Sequence, residues 1–161
     1  MRFNGWMLLA GTAVLATACG GGEKPKTDST AAAPAAAAPA AGAVAPAPAT
    51  GAVHEVKMIG DGTSYKFEPA DITIKQGDAI KFINISGGPH NVSFDPTLIP
   101  ADVKPQLSAN MPNQMAELQS PLLLNPNESY TISFAKIKPG KYEVHCTPHM
   151  AMNMKGTITV Q

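Results

Sequence analysis

The sequence predicts an all-β protein, a Greek-key β-sandwich of seven or eight short strands with one long loop or short helix, over residues 53–161. Three observations carry that prediction. Apolar and polar residues alternate at a period of two through most of the stretch. Turn residues punctuate the runs, as at Gln76-Gly77-Asp78 and Pro139-Gly140. The 109 residues involved are also a normal size for one such domain.

The elements follow in order. Val56 and Met58 open the alternation, and Ile72 and Ile74 continue it against Thr73 and Lys75. Ile80 and Phe82 lie on the strand after the first turn, and Val92 and Phe94 on a strand beginning at His90. Tyr130, Ile132 and Phe134 face one way, with Thr131 and Ser133 opposite. Tyr142, Val144 and Cys146 share an inward face, and Lys155 to Val160 closes the domain with Ile158 and Val160 inward. Only Ala101 to Ser120, rich in Pro, Asn and Met, breaks the rhythm; it reads as a long loop with one helical turn.

Two segments precede this domain. Residues 1–19 read as an export signal: Arg2 is followed by an apolar run from Trp6 to Ala16. That run falls short of the ~20 residues a membrane span needs. Leu15-Ala16-Thr17-Ala18-Cys19 resembles a bacterial lipobox with its Leu one place early, which makes Cys19 the expected lipidation site. Residues 20–52 read as a disordered Ala/Pro-rich linker, since Pro34, Pro39, Pro46 and Pro48 recur too often for a helix. The linker has no aromatic residue with which to order itself, and as a flexible coil it averages ~30 Å end to end. The expected location is the periplasmic or cell-surface side, with the N-terminal lipid in the membrane.

Composition excludes several functions. From Val53 onward nine lysines face ten carboxylates, a net charge of −1, so no basic stripe exists to hold nucleic acid. No Gly-rich phosphate loop, Ser-His-Asp grouping or carboxylate pair marks an enzyme. The two cysteines, Cys19 and Cys146, fall one in the signal and one near the end of the chain, which argues against a disulfide.

The chemistry concentrates in Cys146-Thr147-Pro148-His149-Met150-Ala151-Met152-Asn153-Met154. Gly87-Gly88-Pro89-His90-Asn91 supplies a second imidazole on a rigid turn. Thiol, imidazole and thioether are donors that copper favours and that magnesium or calcium refuse. Zinc has little use for a thioether. One Cys, two His and one Met make the ligand set of a blue-copper electron-transfer site, with the Met as a long axial ligand. Met154 is favoured for that place because it abuts the closing strand; Met152 is the alternative, and Met150 and Met152 otherwise form an apolar rim. Asn91 is expected to pin the His90 strand to the ligand loop near Thr147, and Pro89 and Pro148 to limit backbone freedom beside ligands. Met111 and Met115 read as gap-fillers under the long loop, His145 as an outward residue and His54 as solvated.

These motifs resemble the plastocyanin and pseudoazurin branch of the cupredoxins. Val92-Ser93-Phe94-Asp95, Ile99-Pro100-Ala101, Lys138 to Tyr142 and Met154 to Val160 extend the likeness over the whole domain. The resemblance implies a cupredoxin-like sandwich of eight strands with His90, Cys146, His149 and Met154 holding one type 1 copper ion. It implies electron passage through His149, within a partner surface that includes Gly88, Pro89 and Met150. Redox proteins such as cytochromes or membrane electron-transfer complexes are the expected partners. Asp95-Pro96-Thr97-Leu98 is nearly uncharged, so docking is expected to be chiefly apolar, with little electrostatic steering. The expected function is an exported, tethered, single-electron carrier; a copper storage or delivery protein is the alternative. Four histidines leave no material for the cluster of a multicopper oxidase.

Overall fold

The computed structural model describes residues 44–161. The signal at 1–19, the lipidation site Cys19 and the linker up to residue 43 lie outside the described residues. Among those described, no helix is long and apolar enough to cross a membrane.

Among the described residues, seven strands form two sheets. β1 (Val53–Gly60), β2 (Tyr65–Glu68), β4 (Ala79–Asn84) and β5 (Ser129–Ser133) make one, in the order β2-β1-β4-β5. β3 (Asp71–Ile74), β7 (Lys155–Val160) and β6 (Gly140–His145) make the other, in the order β3-β7-β6. β1 runs parallel to β4 and β3 parallel to β7; the remaining pairs are antiparallel. The chain crosses between the sheets after β2, β3 and β5, and the period-two pattern buries one face of each sheet against the other. In β5 Tyr130 and Ile132 are buried between exposed Ser129 and Thr131, and in β6 Tyr142 and Val144 alternate with Lys141 and Glu143. Met58, Phe67, Ile80, Phe82, Phe134 and Ile158 are essentially without solvent contact between the sheets. Each such side chain contributes ~1.5–3 kcal/mol relative to exposure.

The structure differs from the sequence reading at four places. Val92 and Phe94 are buried, yet no regular strand follows His90, only single bridges from His90 to Leu123 and from Ser93 to Gln119 and His145. Pro89 and Pro96 bracket the segment without N–H groups, and the Val92 N–H is spent on Ser120 Oγ at 2.9 Å. The long loop carries α1 (Lys104–Ala109), with Leu107 beneath it, and Met111 is buried as a gap-filler. Met115 instead is 61% exposed, because the Ala116–Gln119 turn leaves its side chain outside. His54 is not merely solvated, for its Nε2 lies 2.8 Å from the Asp78 carboxylate.

The fourth difference concerns residues 44–52, which composition places in the linker. Ala47 is buried and its N–H donates to Asn110 Oδ1 at 2.8 Å. Thr50 and Gly51 donate to the Gly77 carbonyl, each at 2.9 Å, and Ala52 donates to Asp78 Oδ1 at 2.8 Å. Composition registers only the lack of internal order, whereas backbone N–H groups can still be captured by a neighbouring domain.

Candidate metal centre

The loop after β4 and the loop between β6 and β7 meet at one end of the sandwich. Gly87 and Gly88 take positive φ values of 95° and 91°, which glycine adopts without strain, and this turns the chain sharply into Pro89 and His90. His90 is then fixed to Leu123 by reciprocal backbone hydrogen bonds of 3.1 and 2.7 Å. Its ring Nε2 lies 2.8 Å from the Ser86 carbonyl, so Nε2–H donates and Nδ1 is left as a free acceptor facing inward.

Cys146 leaves the inward face of β6 in extended conformation and caps a 3₁₀ segment, Thr147–Met152, with Pro148 near its start. The segment kinks at His149 (φ −115°, ψ 20°) and ends at Asn153 in the left-handed region, φ 62°. Backbone bonds then close the loop on itself: His149 N to Cys146 O at 3.1 Å, Met154 N to His149 O at 3.2 Å and Cys146 N to Met154 O at 3.1 Å.

Three donor atoms converge as a result. Cys146 Sγ lies 3.6 Å from His90 Nδ1 and 3.4 Å from His149 Nδ1, and all three lie within 4.8 Å of one another. A first-row ion with bonds of ~2.0 Å to nitrogen and ~2.3 Å to sulfur at a tetrahedral angle spans ~3.5 Å between such atoms, so the cradle fits one. His90, Cys146 and Met154 are buried completely, while His149 retains 6% exposure. Met154 shares the loop with Cys146 and His149 and its side chain is interior; Met150 and Met152 are 43% and 46% exposed. Gly88, Pro89, Pro148 and Met150, each within two residues of His90 or His149 in the chain, are exposed.

Asn91, completely buried, bridges the two loops. Thr147 N–H donates to Asn91 Oδ1 at 2.8 Å, and Asn91 Nδ2 donates to Thr147 Oγ1 at 3.3 Å. The Asn91 backbone N–H also points at Cys146 Sγ, 3.5 Å away.

Burial sets the protonation of the donors. It pushes the Cys146 thiol above its ordinary value, against the opposing pull of the Asn91 and His149 N–H groups. It holds both imidazoles below theirs; the Ser86 carbonyl opposes this at His90, and the neighbouring His90 adds to it at His149. Without metal the pocket therefore holds neutral imidazoles and a protonated thiol. The imidazoles are ready to donate, and the thiol must give up its proton to a metal.

One residue at the site was missed by sequence reasoning. Tyr65, the first residue of β2, stacks on His149 with ring centroids 3.8 Å apart and planes at 15°. It also meets His90 edge-on at 6.2 Å. No spacing rule links Tyr65 to either histidine; the contact arises from the pairing of Tyr65 with Gly60 across the β1–β2 hairpin.

Comparison with known proteins agrees with this geometry. The family model "Copper binding proteins, plastocyanin/azurin family" matches residues 54–161. The chain is 41% identical over 106 residues to a chloroplastic plastocyanin of Physcomitrium patens, covering 65% of this chain and 56% of that protein. It thus spans little more than half of that relative's length. It is 37% identical over 109 residues to a plastocyanin of Nostoc punctiforme, covering 67% of this chain and 73% of that one. The oxidized plastocyanin structure from Dryopteris crassirhizoma superposes with a TM-score of 0.51 at 33% identity, over 66% of this chain and 99% of that one. With its two-sheet fold and a buried thiol between two imidazoles, the chain belongs to the copper-binding plastocyanin/azurin family of cupredoxins.

Proposed function

We propose that this protein carries single electrons between redox partners through one type 1 copper ion held by His90 Nδ1, Cys146 Sγ, His149 Nδ1 and the Met154 thioether. The observation that carries the reading is the buried Cys146 thiol set 3.4 and 3.6 Å from two imidazole nitrogens. Copper, when bound, supplies a one-electron couple between Cu(I) and Cu(II). The chain's own residues do the rest. Cys146 gives up its proton and binds as thiolate. Asn91 and Thr147 lock the two loops, so the donors shift little between oxidation states. The surrounding apolar side chains exclude water. His149, the donor nearest the surface, is the exit toward a partner, within a rim formed by Gly88, Pro89 and Met150.

The protein acts as a carrier and not as an enzyme. Its partners are redox proteins such as cytochromes or membrane complexes. Export and a lipid on Cys19 follow from the signal and lipobox-like residues, with the Ala/Pro-rich stretch as tether; mass spectrometry of the mature N-terminus tests that part. The test of the main reading is the absorption and spin-resonance spectrum of the oxidised, copper-loaded protein. An intense visible band with a reversible one-electron couple is expected, and a colourless or redox-inert product overturns the reading.

A second reading, Cu(I) storage or delivery, draws on the exposed thioethers of Met150 and Met152. It predicts colourless Cu(I) protein that hands its metal to an apo-acceptor.

A further inference from the structure

The two imidazoles of the centre are held by different means. His90 is oriented through its outer nitrogen, since Nε2 donates to Ser86 O at 2.8 Å. Metal-binding histidines usually have such an outer partner. His149 has none among the described residues: its ring's one polar contact is Nδ1 to Cys146 Sγ, the nitrogen that a metal would take. Its backbone is bonded to Cys146 and Met154, but those bonds leave the ring torsion of His149 unset. Beyond the tilted His90 ring at 4.7 Å, the ring stacks on Tyr65, nearly parallel with centroids 3.8 Å apart.

We infer that Tyr65 is a positioning residue for His149, its ring taking the place of the outer hydrogen-bond partner that this imidazole lacks. The inference rests on His149 being a copper ligand. Tyr65 is itself seated firmly. It pairs with Gly60, and a Cβ at Gly60 would fall 2.5 and 2.6 Å from Tyr65 Cδ1 and Cε1, so the ring lies directly over a residue that has no side chain. Gly60 N–H donates to Ser86 O at 2.9 Å, the same carbonyl that receives His90 Nε2–H. One corner of the fold, Gly60 with Ser86, thus orients both imidazoles: His90 through a carbonyl and His149 through a ring. The Tyr65 hydroxyl makes no hydrogen bond among the described residues, which assigns the role to the ring face.

The test uses the full chain carrying Tyr65→Leu or Tyr65→Phe, with Tyr65→Met in place of the leucine variant if that one does not fold. In metal-free protein, the His149 ring-proton resonances are expected to be shielded in wild type and Tyr65→Phe, and to return to ordinary values in Tyr65→Leu. In copper-loaded protein, Tyr65→Leu is expected to release metal about three- to tenfold faster, the range an aromatic pair supplies. Its absorption bands and reduction potential should move, and Tyr65→Phe should restore both. Unmoved His149 resonances in Tyr65→Leu overturn the inference. So does a loaded leucine variant with wild-type spectrum, potential and release rate, or a phenylalanine variant that fails to restore them. If wild type itself takes up no copper, the proposed function falls, while the metal-free resonances still decide whether Tyr65 holds the ring.

Discussion

Asn91 and Thr147 are joined by two hydrogen bonds, 2.8 and 3.3 Å long, across 56 residues of sequence. The pair is what couples the turn bearing His90 to the loop bearing Cys146 and His149. Around it the backbone offers little, since the two segments share only the Ser93–His145 bridge and no continuous ladder. Thr147 Oγ1 extends the link to Ser93 Oγ at 2.9 Å. The two loops are therefore held together by one side-chain-to-backbone bond and two side-chain-to-side-chain bonds, a rigid arrangement because the members satisfy one another.

Replacing Asn91 by Ala strands the Thr147 N–H and removes both links. The expected loss is about 1–3 kcal/mol of stability, from two hydrogen bonds at about 0.5–1.5 kcal/mol each. Urea unfolding of the metal-free protein measures it. Faster copper release from the loaded variant is expected alongside, and wild-type values in both measurements would remove the clamp from the account.

The axial donor can be identified by contrast. Met154 is fully buried and Met152 is 46% exposed. Met154→Ala should destabilise the metal-free fold by about 2–5 kcal/mol, as emptying a core methionine site does. It should also shift the spectrum of the loaded protein. Met152→Ala should stay within about 0.5 kcal/mol and leave the spectrum alone. The reverse pattern would make Met152 the ligand.

The strand pattern was legible because alternation is local: each of Tyr130, Ile132, Tyr142 and Val144 announces its face through its neighbours. Cys146, His149 and Met154 could be grouped because one short loop carries them, and His90 because Gly87-Gly88-Pro89 marks a sharp turn. Tyr65 was invisible for the opposite reason. Its seat on Gly60 is local, but its stacking on His149 depends on where the β6–β7 loop folds, which nothing near Tyr65 encodes. The same holds for His54 and Asp78, joined across 24 residues, and for Ala47, whose partner Asn110 lies 63 residues away. Local pattern specifies elements; contacts between distant loops come only from the assembled topology.

Asp78 gives the fold a predictable acid limit. Its carboxylate accepts from the Lys75 N–H, the His54 ring and the Ala52 N–H, and these hold its pKa at about 2 instead of the ordinary 3.8. Because the folded value lies below the unfolded one, the unfolded chain binds the proton more readily. The stabilisation is complete above pH 3.8 and is lost as pH falls toward about 2. Thermal unfolding of wild type and Asp78→Asn across this range checks it. The gap between them should be constant above the window and shrink within it; a gap that widened as pH fell would contradict the assignment.

Salt should matter little to docking. Gly88, Pro89 and Met150, exposed and within two residues of His90 or His149 in the chain, carry no charge, and the domain from Val53 onward has a net charge of only −1. Electron exchange with a protein partner should therefore change by less than about threefold between ~0.01 and ~0.15 M ionic strength. Stopped-flow rates that fell by an order of magnitude would point to a charged surface elsewhere on the protein.

The corner that seats Tyr65 can be tested through its glycines. A Cβ on Gly87 would lie 2.3 Å from Gly60 Cα and 2.7 Å from Gly60 N, both backbone atoms that cannot swing aside. Gly62 has a nearly equal φ, 91° against 95°, but nothing within 4 Å of where its Cβ would be. Gly62→Ala should therefore cost only the left-handed backbone penalty, about 1–2 kcal/mol. Gly87→Ala adds overpacking to that penalty and should cost about 2–5 kcal/mol in all. The difference, read from urea unfolding of the two metal-free variants, isolates the steric contact between Gly60 and Gly87 from the shared conformational term. Equal losses would mean that the two loops are not packed backbone against backbone, and the seat under Tyr65 would lose its rigidity.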